Sequence, residues 1–300
     1  MNYKIFFIYC ILLFYNILLS ADIYSSVNSL NNEDLFLSNP SPDGSFIAVS
    51  NSNYTSLHIA SDSRIIKVPI PTINSFHCKW SPDSKYLLVK RSSYDNKRRR
   101  DGLIVIDVNG SVSKVIVENT LDNIIPLGWT GANTIHYLLN NSLFTLNVKN
   151  KDFEWDSSLL YSIDNKLYEK ADNKEPQLLY EAKAMILNLD YSADKNLIAF
   201  EVYGHKTIII KNRETTLDEI NFGNAPRISP DGSKVVYMNL EDDGHNLTSG
   251  SLYLWRENSE KTEPLIVMSD IILMNPAWIS ENTIIYYNQT ENAFDTFIIR

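Results

Sequence analysis

The sequence is poor in the residues on which several kinds of functional site depend. It contains only two cysteines, 10 glycines and 5 histidines in 300 residues. It has no glycine-rich loop of the kind that holds phosphate groups. It also lacks a Gly-x-Ser-x-Gly motif, which argues against a serine hydrolase with the usual nucleophile elbow.

Basic residues are outnumbered by acidic ones. The formal net charge is -9, from 27 Lys and Arg against 36 Asp and Glu. Phosphate backbones and anionic membranes attract basic proteins, so we expect neither nucleic acid nor a membrane surface as a partner. The one basic run, Lys97 to Arg100, directly precedes Asp101 and Gly102. We interpret it as a solvated loop tip at an Asp-Gly turn.

Metal ligands and catalytic groups are scattered along the chain. The histidines are far apart: His58, His77, His136, His205 and His245. His58 and His136 fall in or beside runs typical of strands, which favours buried, hydrogen-bonded histidines over metal ligands. The polar segment Glu241 to Asn246 lacks the regular calcium-loop pattern and indicates a solvated hairpin tip. The sequence therefore identifies no catalytic, cofactor-binding or metal-binding residue, and we expect no cofactor.

The first 21 residues have the order of a secretory signal peptide. Lys4 precedes an apolar stretch from Ile5 to Leu19, and two small residues follow it. A membrane span needs about 20 apolar residues, so this stretch is short for one. We predict a signal peptide over residues 1–21 and a mature chain over residues 22–300, with an uncleaved membrane anchor as the alternative. Removal of the leader would leave Cys78 alone and exclude an intramolecular disulfide.

A repeated turn-and-strand pattern organises the rest of the chain. Four segments share a Ser-Pro-Asp-Gly-like turn and a following apolar run: Asn39 to Ser50, Lys79 to Lys90, Asp190 to Val202 and Arg227 to Asn239. Proline presets the second turn position, the Asp side chain caps the turn, and Gly tolerates the tight backbone. The recurring aspartates are therefore interpreted as turn residues: Asp43, Asp83, Asp194 and Asp231.

Each repeat predicts a four-stranded unit with this turn between its first two strands. Third strands are predicted at Ser56 to Ile59, Leu103 to Val108, Thr207 to Lys211 and Ser251 to Trp255. Fourth strands are predicted at Ile65 to Val68, Lys114 to Val117 and Pro264 to Val267. Tryptophans precede several turns and are expected to pack between units: Trp80, Trp129, Trp155 and Trp278. Four short strands per repeat are the pattern of a β-propeller blade.

The spacing of the repeats predicts six blades. The turn residues of the copies are Ser41, Ser81, Thr130, Ser192, Ser229 and Ser280. Most intervals are close to the roughly 40 to 45 residues of a four-stranded blade, and the interval from Thr130 to Ser192 is longer. A seventh blade is the alternative, because Trp155 to Tyr161 resembles another turn and strand. Two further candidate strands in that interval are Lys166 to Glu169 and Gln177 to Glu181.

The predicted fold class is therefore all-β, a six-bladed or alternatively seven-bladed β-propeller of four-stranded antiparallel blades. It occupies residues 22–300 as a single domain. The last unit ends at Phe297 to Arg300 after its third strand, which would leave an open sheet edge. We expect residues within Ile23 to Leu37 to pair with this edge and complete the last blade. The alternative is that Ile23 to Asn32 form a flexible spacer after the signal peptide.

The repeated pattern resembles the WD-like repeats of TolB and of the propeller domains in the prolyl oligopeptidase and dipeptidyl peptidase families. The resemblance covers about Leu35 to Arg300. The few residues between Ala21 and Leu35 leave no room for the α/β domain that precedes the propeller in TolB. The hydrolase domain of the peptidases is likewise not found after the repeats. The resemblance therefore implies a TolB-like propeller without these attachments.

What the resemblance implies about function is protein binding. We predict an exported, non-enzymatic propeller that binds a protein or peptide partner in the cell envelope, is periplasmic or secreted, and is a monomer. Loops on one face or the mouth of the central channel would carry the binding. The alternative is a propeller enzyme, a lyase, cyclase or hydrolase that acts on a carbohydrate or peptide in the channel. A third hypothesis is that the chain is a decayed relative of a peptidase propeller.

Overall fold

The structure is a computed structural model that describes residue 27 and residues 35–69, 73–131, 133–148, 158–171, 174–192, 196–204, 207–212, 215–257 and 262–300. Within these residues the chain forms 25 β-strands, named β1 to β25 in chain order. In each sheet, neighbouring strands follow one another in sequence and pair antiparallel. In the described part of the chain, no helix is both long enough and apolar enough to cross a membrane.

The first four sheets span the region from β1 to β14. The first sheet contains β1 (Leu35–Pro40), β2 (Ile47–Asn51), β3 (Leu57–Ala60) and β4 (Ile65–Lys67). The second contains β5 (Ile73–Trp80), β6 (Tyr86–Asp95), β7 (Arg98–Asp107) and β8 (Val112–Thr120). The third contains β9 (Ile124–Thr130), β10 (Thr134–Leu139) and β11 (Ser142–Asn147). The fourth contains β12 (Leu159–Ile163), β13 (Lys166–Lys170) and β14 (Gln177–Glu181).

Three more sheets complete the described strands. The fifth contains β15 (Ile186–Tyr191), β16 (Ile198–Val202), β17 (Thr207–Asn212) and β18 (Thr215–Asn221). The sixth contains β19 (Asn224–Ile228), β20 (Lys234–Asp242), β21 (Leu247–Arg256) and β22 (Glu263–Ile266). The seventh contains β23 (Leu273–Ser280), β24 (Thr283–Asn288) and β25 (Ala293–Ile298). The third and fourth strands predicted from the repeats fall on these strands to within a few residues.

The turns between first and second strands have the predicted chemistry. In the first sheet, the Ser41 hydroxyl donates to Asp43 Oδ1 at 2.8 Å and accepts the Phe46 backbone N–H at 3.0 Å. In the second, Ser81 donates to Asp83 Oδ1 at 2.7 Å and accepts the backbone N–H of Tyr86 at 3.0 Å. One serine and one aspartate thus close each turn. Asp194, the aspartate predicted for the fifth-sheet turn, lies outside the described residues.

The sheets follow one another around a closed ring. Contacts join β5 to β9, β9 to β12, β12 to β15, β15 to β19 and β19 to β23. The ring closes because β23 contacts β1, and the first and second sheets share one apolar core. Apolar side chains of adjacent sheets fill the spaces between them, with residues such as Ile47, Leu87 and Ile284 fully buried. This arrangement is an all-β propeller, as predicted.

Tryptophans join neighbouring sheets through their indole N–H groups. Trp80 donates to the Asn39 carbonyl at 2.9 Å, and Trp129 donates to the Lys79 carbonyl at 2.9 Å. Trp278 repeats the contact with the Arg227 carbonyl at 2.8 Å. Each acceptor lies in the preceding sheet, so the predicted packing of these tryptophans between units is confirmed. Trp155 lies outside the described residues.

The described strands form seven sheets, four with four strands and three with three. This number agrees with the seven-unit alternative rather than with six units of four strands, and the number of blades stays a prediction. The additional sheet lies in the long interval after Thr130, where β13 and β14 confirm the candidate strands at Lys166 to Glu169 and Gln177 to Glu181.

One expectation is corrected by the strand pairing, and a second is restricted to fewer residues. Asp101 and Gly102 do not form a turn: they lie inside β7 and pair with Ser92 and Arg91 of β6. The turn is at Asn96 and Lys97, where both residues have a positive φ. In the first sheet, residues 35–37 belong to β1 and pair with β2, so they do not complete the last sheet. The rest of the predicted closing segment, apart from Val27, lies outside the described residues.

Candidate functional site

The ring has two faces that differ in their connections. Because the strands of each sheet alternate in direction, the turns between the first and second strands of every sheet except the fourth lie on one face, which we call the turn face. The connections between the second and third strands of these sheets lie on the opposite face, together with the described connections from one sheet to the next. The β12–β13 turn of the fourth sheet also lies there, because the Asp164 carbonyl accepts the backbone N–H of Ile186 at 2.8 Å. We call this opposite face the loop face. Hydrogen bonds hold its connections together, such as Tyr203 N to Met185 O and Asn140 N to Asn123 O, both at 2.9 Å.

Large apolar side chains are exposed on the loop face. Seven of them, each at least half exposed, lie in or beside its connections: Tyr94, Leu121, Met185, Tyr203, Phe222, Val267 and Met268. Single exposed apolar residues are common on protein surfaces, and the concentration of seven on one face makes the loop face the candidate binding surface of the ring. Glu201 of β16 joins the fifth sheet to the sixth, because its carboxylate accepts the Asn188 side-chain amide of β15 at 2.9 Å and the Ala225 backbone N–H of β19 at 3.1 Å.

Two long hairpins extend the loop face. The β6–β7 ladder runs from the Tyr86–Asp107 pair to the Asp95–Arg98 pair. The β20–β21 ladder runs from Lys234–Arg256 to Asp242–Leu247. The second strands of the other sheets have five or six residues, whereas β6 has 10 and β20 has 9. These hairpins belong to the second and sixth sheets, which lie on opposite sides of a seven-sheet ring.

The tip of the β6–β7 hairpin, the basic hairpin, carries Lys97 to Arg100. Arg99 donates to Asp101 at 2.9 Å, and Arg100 forms an ion pair with Asp95 at 3.1 Å. Burial of Asp101 works against its ionisation, but bonds from Ser92, Lys90 and Arg99 outweigh it and lower the pKa of the carboxyl. Lys97 and Arg98 are exposed and, among the described residues, are in no ion pair with this hairpin's carboxylates. They are the charges that the basic hairpin offers to a partner.

The tip of the β20–β21 hairpin, the acidic hairpin, carries Glu241, Asp242 and Asp243, all exposed. Asp243 accepts the backbone N–H groups of Asn246 at 2.8 Å and His245 at 2.9 Å, and these bonds lower the pKa of its carboxyl. The predicted solvated hairpin tip is confirmed. Among the described residues, no group of three or more His, Cys, Asp or Glu side chains is placed to hold a metal ion.

The two histidines that were expected to be buried, His58 and His136, are buried, whereas His245 is exposed at the tip of the acidic hairpin. His136 is 0% exposed, between the hydroxyls of Thr130 at 2.7 Å and Thr145 at 2.9 Å. Burial lowers the pKa of His136 to about 4, and the positive charge of Lys170 acts in the same direction. His58 is 2% exposed. The prediction of buried histidines is confirmed for both, whereas His205 and the side chain of His77 lie outside the described residues.

The sequence alone identifies no binding residue, and the exposed apolar side chains of the loop face could not be recognised from it. Leu121 and Phe222 are single apolar residues in polar connections, and Met185 directly precedes the apolar start of β15, patterns that any connection can show. Only the ring arrangement places them on one face. The sequence offers one indication of the loop face. The apolar and charged runs around β6, β7, β20 and β21 are longer than those of the other repeats.

The fold defines the chain as a β-propeller, and its similarity to solved structures agrees with this class. No protein-family model matches the chain, and no curated protein matches it. It is similar to the β-propeller domain of Cps50 (Swd1) from Myceliophteria thermophila, with 10% identity and a TM-score of 0.60, over 90% of this chain and 97% of that one.

Two further similarities involve a WD40 domain and TolB. The C-terminal WD40 domain of Sif2 has 14% identity and a TM-score of 0.57, over 89% of this chain and 81% of that one. TolB from Acinetobacter baumannii has 15% identity and a TM-score of 0.53, over 82% of this chain and 57% of that one. At such identities these similarities show the fold alone.

Proposed function

We propose that this propeller is a protein-interaction scaffold that binds its partner with the loop face. The observation that carries the proposal is the set of seven exposed apolar side chains on that face. Burying apolar surface contributes about 25 cal/mol per Å², and aromatic side chains are frequent at the centres of protein interfaces. Tyr203 and Phe222 are the anchors we expect to contribute most.

The two charged hairpins add a requirement on the partner. The basic hairpin and the acidic hairpin stand on opposite sides of the ring, so a complementary partner carries an acidic patch and a basic patch at matching positions. Such complementarity increases the association rate and fixes the orientation of binding, and salt weakens it. We therefore propose a protein partner with a bipolar surface and a salt-dependent association rate.

Export belongs to the same proposal. The signal-like order of residues 1–21 supports secretion of the mature chain 22–300, which would meet its partner in the periplasm or outside the cell. The absence of a nucleophile elbow from the sequence supports a non-enzymatic role. A closer relation to the dipeptidyl peptidase propellers stays a prediction, as does the monomeric state.

The test compares two variants of the mature chain in capture experiments from an envelope extract of the source organism. Tyr203→Ser with Phe222→Ser changes the loop face. Val112→Ser with Leu178→Ser is the matched control, because these two exposed side chains lie on the outer strands β8 and β14. Circular dichroism and thermal unfolding check that both variants fold.

We expect wild type and the control to retain a stoichiometric protein, and the loop-face variant to bind it at least about tenfold more weakly. Raising the salt concentration is expected to slow association of the wild type. Equal binding by the loop-face variant and the control would refute the proposed surface. A wild-type chain that captures no protein at any salt concentration would contradict the scaffold function.

A further inference from the structure

One ladder position recurs on the first strands close to the ring axis. In the first, second, third, fifth and sixth sheets it lies two residues before the turn serine or threonine, and its occupants are Asn39, Lys79, Gly128, Asp190 and Arg227. In the strand pairing they stand opposite equivalent residues of the second strands, for example Lys79 opposite Leu88 and Arg227 opposite Val236. Equivalent positions in successive sheets lie at the same height along the axis. These residues therefore form one level of the ring, near the turn face.

Three charged side chains occupy this level, and two of them, Arg227 and Asp190, act on the third, Lys79. Burial lowers the pKa of the Lys79 ammonium, the positive charge of Arg227 lowers it further, and the Asp190 carboxylate acts in the opposite direction. The residues belong to the second, sixth and fifth sheets. The Lys79 side chain is nevertheless accessible to water. A Lys79 side chain on the wall of an axial opening would be surrounded by protein and still reached by water. This placement fits both its lowered pKa and its accessibility.

The charges on this level are not balanced. Asp190 is engaged with the neighbouring sheet, because its Oδ2 accepts the Ile228 backbone N–H at 2.8 Å. Arg227 donates to the Pro226 carbonyl at 2.9 Å, and among the described residues no ion pair involves Arg227 or Lys79. This level thus carries two cations and one carboxylate. A positive site of this kind is unusual in a chain whose formal net charge is -9.

The same level has free space beside Lys79. Gly128, in the adjacent third sheet, has a φ of +136°, and a Cβ added to it would meet no atom within 4 Å. The neighbouring Trp129 fixes the backbone of Lys79 through its indole N–H at 2.9 Å. The cation therefore stands on a rigid strand next to an open volume, which is the arrangement expected of a preformed site.

We propose that Lys79 and Arg227 form an axial anion site whose ligand is a carboxylate. The guanidinium matches the planar geometry of a carboxylate, and the ammonium adds a second charged donor. Asp190 leaves the three side chains with a net charge of one, which suits a singly charged anion better than a phosphate dianion. This site is separate from the loop face, so its failure and that of the scaffold proposal are distinguishable.

The test follows the Lys79 side chain by NMR in the mature chain labelled with ¹³Cε lysine. The probes are sodium acetate, sodium phosphate, and a short peptide with either a free or an amidated carboxyl terminus, all at constant ionic strength. Lys79→Met assigns the signal, Arg227→Gln removes the second donor, and Lys85→Met is the control. Lys85 lies in the turn of the same sheet with a side chain that is 71% exposed.

We expect acetate to produce a saturable shift of the Lys79 signal and to raise its pKa, because a bound carboxylate stabilises the ammonium. Arg227→Gln is expected to weaken acetate binding at least about tenfold, whereas Lys85→Met leaves it unchanged. Tighter binding of the free peptide than of acetate or the amide would identify a chain terminus as the ligand. Equal binding of acetate and free peptide would identify a small acid.

Three results would overturn the proposal. The first is a Lys79 signal that acetate and free peptide do not move in a saturable way. The second is tighter binding of phosphate than of acetate, which would contradict the assignment to a singly charged carboxylate. The third is acetate binding that Arg227→Gln and Lys85→Met change equally, which would show general charge screening instead of a site.

Discussion

Replacing Ser81 by alanine tests whether the turn serine holds the repeat together. Ser81 is 0% exposed, and its hydroxyl is the acceptor for the backbone N–H of Tyr86 at 3.0 Å. The same hydroxyl donates to Asp83 Oδ1 at 2.7 Å. Ser81→Ala removes both bonds without adding bulk, and it leaves the backbone bond from Ser81 N to Tyr86 O at 2.8 Å in place.

The expected loss of stability follows from the hydrogen-bond partners that remain for the Tyr86 N–H and the Asp83 carboxylate in the variant. The Tyr86 N–H would point at a buried methyl group, and a buried donor without a partner costs about 1–3 kcal/mol. Asp83 loses less, because its carboxylate also accepts the Lys85 N–H at 3.3 Å and is partly open to water. We therefore expect Ser81→Ala to lower the free energy of unfolding by about 2 kcal/mol.

Urea unfolding followed by tryptophan fluorescence measures this difference. Ser81→Thr keeps the hydroxyl, as Thr130 does at the equivalent position, and is expected to retain most of the stability. Ser111→Ala is the control, since Ser111 is exposed and its backbone N–H donates to Asp107. Such a surface change should stay within about 0.5 kcal/mol of wild type. If Ser81→Ala unfolds at the same urea concentration as Ser111→Ala, the serine does not hold the turn.

Three further predictions concern single positions. Gly44→Ala should lower the free energy of unfolding by about 2–4 kcal/mol in urea, because φ is +71° and the Cβ would lie 2.6 Å from the Ile279 carbonyl oxygen. Gly204→Ala, with a φ of +74° and no atom within 4 Å of the added Cβ, should lower the free energy of unfolding by about 1 kcal/mol. Equal losses in the two variants would show that the Ile279 carbonyl oxygen does not restrict position 44. Stability should fall by about 3 kcal/mol as the pH drops from 6.5 to about 4, because unfolded His136 takes up a proton that the folded chain rejects. His136→Gln should flatten that part of the pH profile of unfolding, and an unchanged profile would refute the assignment. Trp129→Phe should cost about 2 kcal/mol by leaving the Lys79 carbonyl without its donor, which thermal unfolding would detect as a lower Tm than wild type.

Much of the fold could be predicted from the sequence because each repeat forms the same kind of turn through short-range hydrogen bonds. A turn serine, an aspartate two residues later and an apolar run determine a hairpin through short-range bonds, such as Ser229 with the Lys234 N–H at 2.9 Å. Degenerate copies remain recognisable for the same reason. Thr130 replaces the serine and bonds to His136, so the hydroxyl stays although the proline and aspartate are lost.

The basic hairpin could not be predicted in this way. Asp101 and Gly102 have the sequence of a turn, but the chain reverses earlier, at Asn96 and Lys97 with φ of 49° and 64°. Two consecutive residues with positive φ fit the twist of a tight two-residue hairpin, and asparagine tolerates this conformation well. Asp101 instead bonds to Ser92 across the ladder at 2.7 Å. Hydrogen bonds across the ladder determine which of the two possible turns forms, and the local sequence does not reveal these bonds.

The two candidate sites illustrate why function was harder to predict than fold. Positions that serve the fold repeat the same residue, since every unit needs the same turn, as Ser41 and Ser81 show. The level two residues before those turns behaves differently: it holds Lys79, Gly128 and Arg227 at equivalent places, with different charge and size. A structural requirement common to all units would not permit such variation. A site that is unique in the ring requires it, because a single ligand needs different groups from different sheets.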